Sequence, residues 1–146
     1  MNIKQIIEDI AVSITVNMET YTFAHGEKDW QNLMSDEKQY PAIYLDEPIQ
    51  NQFILHKSGL IQEMYLLSLV FLHDSKLDWT PEQHDVLKQL ARRGAKIMLS
   101  KLMSSPEIKE VSNAKAVEFQ NEYDRNSTGV YLYLYVLPYD NEPVCP

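Results

Sequence analysis

The chain has 146 residues, of which 45% are hydrophobic and 23% charged, with a formal charge of −8. That length suits a single domain, 1–146, able to bury a continuous core without disulfides or metal. The acidic balance weighs against a dedicated nucleic-acid binder held by counterion release, and the lone Cys145 excludes an intrachain disulfide or a Cys-based zinc site. No apolar run is long enough to span a bilayer, and Glu8 and Asp9 interrupt any signal-peptide core in "MNIKQIIEDIAVSI". The expectation is a soluble protein of a reducing compartment, with no membrane partner.

In chain order, Ile3, Ile6, Ile7, Ile10 and Ile14 recur at three- and four-residue intervals, the mark of an amphipathic helix. A short strand-like piece follows around Tyr21 to Phe23. The polar segment 25–39 is too long for a simple turn and reads as a loop or arm. Within it Trp30, Leu33 and Met34 stand at helical spacing, which fits either a short helix tucked onto the body or an arm that orders on a partner. "YPAIYLDEP", bounded by Pro41 and Pro48, reads as a short or edge strand.

"NQFILHK" and "IQEMYLLSLVFLHD" flank Ser58-Gly59, a plausible hairpin turn. The second is apolar on both faces, with Met64, Leu66, Val70 and Leu72 alternating against Tyr65, Leu67, Leu69 and Phe71. Such a strand is normally central and covered on both sides. "TPEQHDVLKQLARRGAKIMLSKLMSS" then announces a helix: Thr80 to cap, Pro81 at the first position, and Gln83 to complete a capping box. Val86, Leu87, Leu90, Ala91, Gly94, Ile97 and Met98 share one face, with Gly94 allowing close approach to a sheet. Lys88, Arg92 and Lys96 form a basic row opposite, in a helix that also holds Arg93 and Lys101.

The hairpin "AVEFQNEYDRNSTGVYLYLYVLP" closes the fold, and the tail 139–146 reads as loose. In its second strand Val130, Leu132, Leu134 and Val136 alternate with Tyr131, Tyr133 and Tyr135, so aliphatics take one face and a tyrosine row the other. The fold class is α+β, with a mixed or antiparallel sheet of about four to five strands packed by two main helices.

Catalytic signatures are sparse. His73-Asp74 ends the long strand and His84-Asp85 opens the main helix, so the two pairs can approach each other. Their spacing matches no metal motif, and they read as turn and cap residues. There is no G-x-S-x-G and, with four scattered glycines, no phosphate-cradling loop; no catalytic, cofactor or metal residues are assigned. What remains is surface: a tyrosine row beside an apolar central strand, with too little helix to cover both sheet faces.

The order helix "IKQIIEDI", early strand "YPAIYLDEP", central strand "MYLLSLVFLHD", main helix "TPEQHDVLKQLARRGAKIMLSKL" and closing hairpin resembles the tail-terminator and tail-completion proteins of tailed bacteriophages. The likeness covers most of the chain and rests on element order, length and texture. It implies a structural protein of the virion and no enzyme, assembled in the host cytoplasm as a homo-oligomeric head-to-tail connector or neck ring. Portal, neck or tail proteins would be its partners, with DNA passing non-specifically through the ring. On that reading Tyr131, Tyr133, Tyr135, Tyr65 and Phe71 meet neighbouring subunits, and Lys88, Arg92 and Lys96 face acidic neighbours or the DNA lumen. The alternative is a module that binds a small ligand or peptide in a tyrosine-lined groove.

Overall fold

In the computed structural model, residues 2–35, 39–122 and 126–139 are described. Asp36 to Lys38 of the polar segment, part of the closing turn (Tyr123 to Arg125), and the tail from Asp140, including Cys145, lie outside them. Helix α1, Ile3–Ala11, is capped by Asn2, whose side-chain oxygen accepts from the Lys4 and Gln5 amides, and it buries Ile3, Ile6, Ile7 and Ala11. A small hairpin that the sequence pattern does not announce follows, β1 (Thr15–Val16) with β2 (Glu19–Thr20). Then come β3 (Thr22–His25), α2 (Glu27–Ser35), β4 (Ala42–Leu45), β5 (Gln50–Leu55), β6 (Ile61–Asp74), α3 (Pro81–Ser104), β7 (Ile108–Glu122) and β8 (Ser127–Pro138).

The chain is thus α+β with three helices and a mixed sheet. Its main sheet has six strands rather than four or five, in the order β3-β4-β6-β8-β7, with β5 also paired to β6. At 14 residues, β6 is long enough to serve two partners on one edge: β4 along Leu69 to Leu72 and β5 along Ile61 to Leu66. On its other edge β8 pairs only from Tyr65 onward. Residues 61–64 therefore belong to a two-stranded ribbon with β5. Its turn is made as expected at Ser58-Gly59, where Gly59 has φ +91°, a conformation that favours glycine.

The strand β4 is short but is not an edge. It runs parallel to β3 on one side and antiparallel to β6 on the other, and all four of its residues are buried. A parallel pair needs a crossover of a dozen or more residues, so the long polar segment is the connection that carries the chain from β3 back to the start of β4. The helix within it, α2, is docked on the sheet by the fully buried Leu33, worth roughly 2 kcal/mol, and by Trp30 against Tyr44.

One sheet face carries the main core. Leu67, Leu69 and Phe71 of β6 and Val130, Leu132, Leu134 and Val136 of β8 pack there against α1 and α3. The capping box of α3 forms as expected: Gln83 N–H donates to Thr80 Oγ1, and Thr80 N–H donates to Gln83 Oε1 at 2.8 Å. Of its expected stripe, Ala91, Gly94 and Met98 are buried and Leu90 and Ile97 pack against the core, with His84, Ala95 and Leu102 buried beside them. Val86 is 56% exposed. Tyr21 lies beneath Gly94 as a close approach requires, and the burial of His84 follows from a nonlocal partner, Thr128.

Candidate functional site

The opposite sheet face is covered at one end only. There α2 packs Leu33, Trp30 and Met34 over Ala24, Ala42, Tyr44, Val70 and Leu72, with Phe119 and Tyr131 in the same cluster. Away from α2, among the described residues, the face is partly exposed, with Tyr133 in solvent and Leu66, Ser68 and Tyr135 half-buried. The tyrosine row lies on it: Tyr131, Tyr133 and Tyr135 stand across from Val70, Ser68 and Leu66 of β6. The Tyr131 and Tyr133 rings stack with centroids 6.3 Å apart at 24°. Tyr131 is partly buried, lies 4.8 Å from the Phe119 ring, and donates its hydroxyl to Glu122 Oε2 at 2.7 Å. Tyr133 is 42% exposed and Tyr135 half-buried. The row therefore runs from a partly internal contact to an outward-facing one.

Two further residues assigned to subunit contacts lie on the other face of the sheet. Phe71 pairs with Val130 and is fully buried under Tyr21, on the helix-covered face, so it is core and cannot meet another subunit. Tyr65 shares that face, half-buried against the core, with its hydroxyl donating to Glu63 Oε2 at 3.1 Å. Period-two alternation puts residues 65 and 71 opposite residues 66 and 70, so they cannot share a side with the tyrosine row. The ribbon instead supplies apolar surface that the sequence pattern did not single out: Phe53, Leu55 and Leu60 are 59%, 74% and 51% exposed. A two-stranded ribbon has no third layer to bury such side chains.

The basic row is largely engaged within the chain. Arg92 pairs with Glu118 of β7, and Lys88 donates to Gln120 Oε1 at 3.0 Å and lies 3.7 Å from Asp85. Lys101 donates to Ser13 Oγ at 2.9 Å. The row folds down over β7, leaving Arg93 and Lys96 exposed on α3 with no ion pair among the described residues.

His73 and His84 do approach the same end of the sheet, but as core residues rather than turn or cap residues. The Tyr21 hydroxyl lies 2.6 Å from His73 Nε2, and His84 Nδ1 lies 2.9 Å from Thr128 Oγ1, which in turn donates to Ser75 Oγ at 3.0 Å. Burial pulls the His73 imidazole down to about 4, and pushes the Tyr21 hydroxyl up, with the Glu19 carboxylate adding to it. These are paired polar groups inside a core, and they stabilise it by being paired. Among the described residues no three His, Cys, Asp or Glu side chains are placed to hold a metal ion.

A cavity of about 360 Å³ opens where α2 meets the open face. Glu27 and Trp30 of α2, Tyr44 of β4, Asp46 and Glu47 beyond it, and Val70 of β6 line it. Trp30 and Tyr44 form one wall, with ring centroids 4.7 Å apart at 56°. The Tyr44 hydroxyl is held above its usual range, first by burial and then by the Asp46, Glu47 and Asp29 carboxylates, against an opposing hydrogen bond from the Gly26 backbone. On the rim, Glu47 Oε1 lies 3.4 Å from His25 Nε2, while His25 Nδ1 lies 2.9 Å from the Leu45 carbonyl. The concentration of acids in the amino-terminal third is visible in the sequence; their meeting with two aromatic rings depends on the β3-α2-β4 crossover.

No family model matches the chain, and no curated protein matches it. No helix among the described residues is long and apolar enough to cross a membrane.

Proposed function

We infer that this chain is an assembly subunit: a structural protein of the head-to-tail connector or tail-terminator kind, working in the virion as a homo-oligomeric ring and performing no catalysis. The observation that carries the reading is the half-covered sheet. A tyrosine row, with Tyr131 and Tyr133 stacked, crosses a face that α2 covers at one end only, and beyond it a ribbon holds Leu60 in solvent together with Phe53 and Leu55, whose partners Glu63 and Ile61 set them on the other side of the sheet. Large apolar and aromatic surfaces of this sort mark contacts with other polypeptides. A heterologous contact between the face of one copy and the ribbon of the next repeats around a closed ring if the rotation closes. The element order that resembles tail-terminator proteins supports the same class, with portal, neck or tail proteins as further partners. The competing use of the tyrosines as a ligand groove has less behind it, because the cavity at the end of this face is lined by Trp30 and Tyr44 and not by Tyr131, Tyr133 or Tyr135.

Size-exclusion chromatography with light scattering, over a concentration series and with portal or tail preparations added, tests the reading. Tyr133→Ser is the informative variant, since Tyr133 is the most exposed of the three, whereas Tyr131 also holds Phe119 and Glu122. Tyr133→Ser is expected to reduce association while shifting Tm by only about 2 °C. A wild-type chain that remains monomeric at every concentration and ignores those preparations overturns the proposal.

A further inference from the structure

The cavity between α2, β4 and β6 has a chemistry of its own. Two aromatic rings form a wall, Val70 adds an apolar surface, and Glu27, Asp46 and Glu47 supply carboxylates from two elements. Its volume of about 360 Å³ is at the small end of ligand sites, and most such sites combine apolar walls with a few convergent polar groups. The carboxylates come from the first turn of α2 and from the residues just after β4, and among the described residues they form no three-ligand group for a metal ion. That arrangement suits a cation whose charge is diffuse and whose body is apolar or planar. The face of a tryptophan or tyrosine ring attracts such a cation through its quadrupole, and the surrounding carboxylates add Coulomb attraction. The raised Tyr44 hydroxyl, affected by Asp46, Glu47 and Asp29 in addition to its burial, reports the same negative field from a group in the wall.

We propose that this cavity binds an organic cation, a guanidinium or alkylammonium group, against Trp30 and Tyr44 with Asp46 and Glu47 as its counter-charges. The cation can be a free small molecule or the side chain of a neighbouring copy, and the exposed Arg93 and Lys96 of α3 are the candidates this chain itself offers. The site goes beyond the assembly reading and does not depend on it, because a free cation fills the cavity of a monomer equally well.

The test uses the full chain, labelled with nitrogen-15, and follows the two indole N–H signals. Trp30 lines the cavity, whereas Trp79 packs near His84 at the start of α3 and serves as the internal reference. Agmatine, which carries a guanidinium and an ammonium, is expected to move the Trp30 signal saturably with an affinity on the order of millimolar, leaving Trp79 in place. Butylurea, a neutral analogue of similar shape, is expected to leave both signals unmoved. Asp46→Asn combined with Glu47→Gln removes two exposed charges and should weaken agmatine binding about tenfold, as should added salt to a smaller degree. A Trp30 signal that ignores agmatine, or that moves equally with butylurea, overturns the proposal. A dilution series without agmatine separates the sources. Concentration dependence of Trp30 that disappears in Arg93→Ser/Lys96→Ser assigns the cation to a neighbouring copy, and agmatine binding without such dependence assigns it to another molecule.

Discussion

Gly94→Ala places a methyl group where α3 meets Tyr21, and two opposing effects of similar size decide its outcome. Alanine is the better helix former by about 1 kcal/mol, so at an open helix position the substitution stabilises. At Gly94 an added Cβ would stand 2.9 Å from the Tyr21 hydroxyl, 3.0 Å from Cε2 and 3.1 Å from Cζ. Contacts that short force a shift, and the ring has little freedom to give. It sits edge-on to Phe71 and His73, at 5.8 Å and 5.3 Å, and is tied to His73 Nε2 at 2.6 Å. Overpacking costs about 1–3 kcal/mol, and pulling the hydroxyl from a buried histidine adds about 1–3 kcal/mol where the bond is lost outright. Against the propensity gain the net expectation is a destabilisation of about 0–2 kcal/mol if the bond survives and about 1–5 kcal/mol if it is lost, read from urea unfolding followed by far-UV circular dichroism. In a Tyr21→Phe background the closest atom and the hydrogen bond are both gone, so the same alanine should cost less there than in the wild type. A Gly94→Ala chain more stable than wild type by about 1 kcal/mol would show that α3 is not held against Tyr21, and the reasoning about the core would fail.

Three further outcomes concern the strand register, the buried histidine and the surface of α3. Gly129→Ala sets a Cβ 1.8 Å from the Phe71 carbonyl oxygen, a backbone atom that cannot swing aside, so a loss above about 3 kcal/mol or failure to fold is expected; near-wild-type unfolding would refute the β6–β8 register. His73 has its folded-state value near 4 against an unfolded value near 6.5, so the unfolded chain binds the extra proton between them and stability falls as pH drops through that window. Between about pH 7 and pH 5 the loss attributable to this residue is about 2 kcal/mol, which His73→Gln should abolish; an equal pH dependence in the variant would refute the assignment. Arg92→Ala removes a surface pair with Glu118 in which both side chains are substantially exposed, so denaturant melts should register under about 1 kcal/mol, and a loss of 3 kcal/mol or more would mean a buried role.

What is legible in the sequence is local. The Thr80 capping box, the isoleucine stripe of α1, the Ser58-Gly59 turn and the alternation of β8 each depend on residues a few positions apart, and each is present in the fold. The misreadings share a nonlocal cause. The segment "YPAIYLDEP" resembles an edge strand because Pro41 and Pro48 bound it, yet β3 joins it in parallel once the crossover through α2 returns. The stripe expected on α3 centres on Gly94, which is buried over Tyr21, and only its first turn differs: Val86 is exposed while His84 is drawn in by Thr128, a partner far away along the chain. Grouping Phe71 with the tyrosines as aromatic surface overlooks its own alternation with Val70, which already sets it on the other face. Only the pairing of Phe71 with Val130 shows that this other face is the fully covered one.

The position of the open surface follows from the lengths of the elements. The nine residues of α2 span about 13 Å, whereas the 14 residues of β6 extend about 46 Å, so a helix docked at Tyr44 and Val70 cannot reach the far end of the strand. On the other side of the sheet α3 has 24 residues, about 36 Å, and covers its face far more fully with help from α1. The uncovered area therefore runs from Tyr133 toward Leu66 and Tyr135 and on to the ribbon, which carries Phe53 and Leu55 on its other side, while the acidic cavity lies beside α2, where Asp46 meets Ser68 at the near edge of that area. The two surfaces have different linings and can be tested apart. If assembly joins the open face of one copy to the ribbon of the next, Phe53→Ser and Tyr133→Ser should each weaken association and leave the agmatine response of Trp30 unchanged, while Asp46→Asn/Glu47→Gln should weaken that response in the monomer. Loss of agmatine binding in Tyr133→Ser would mean that the open face and the cavity form one continuous site, and the division between them would be wrong.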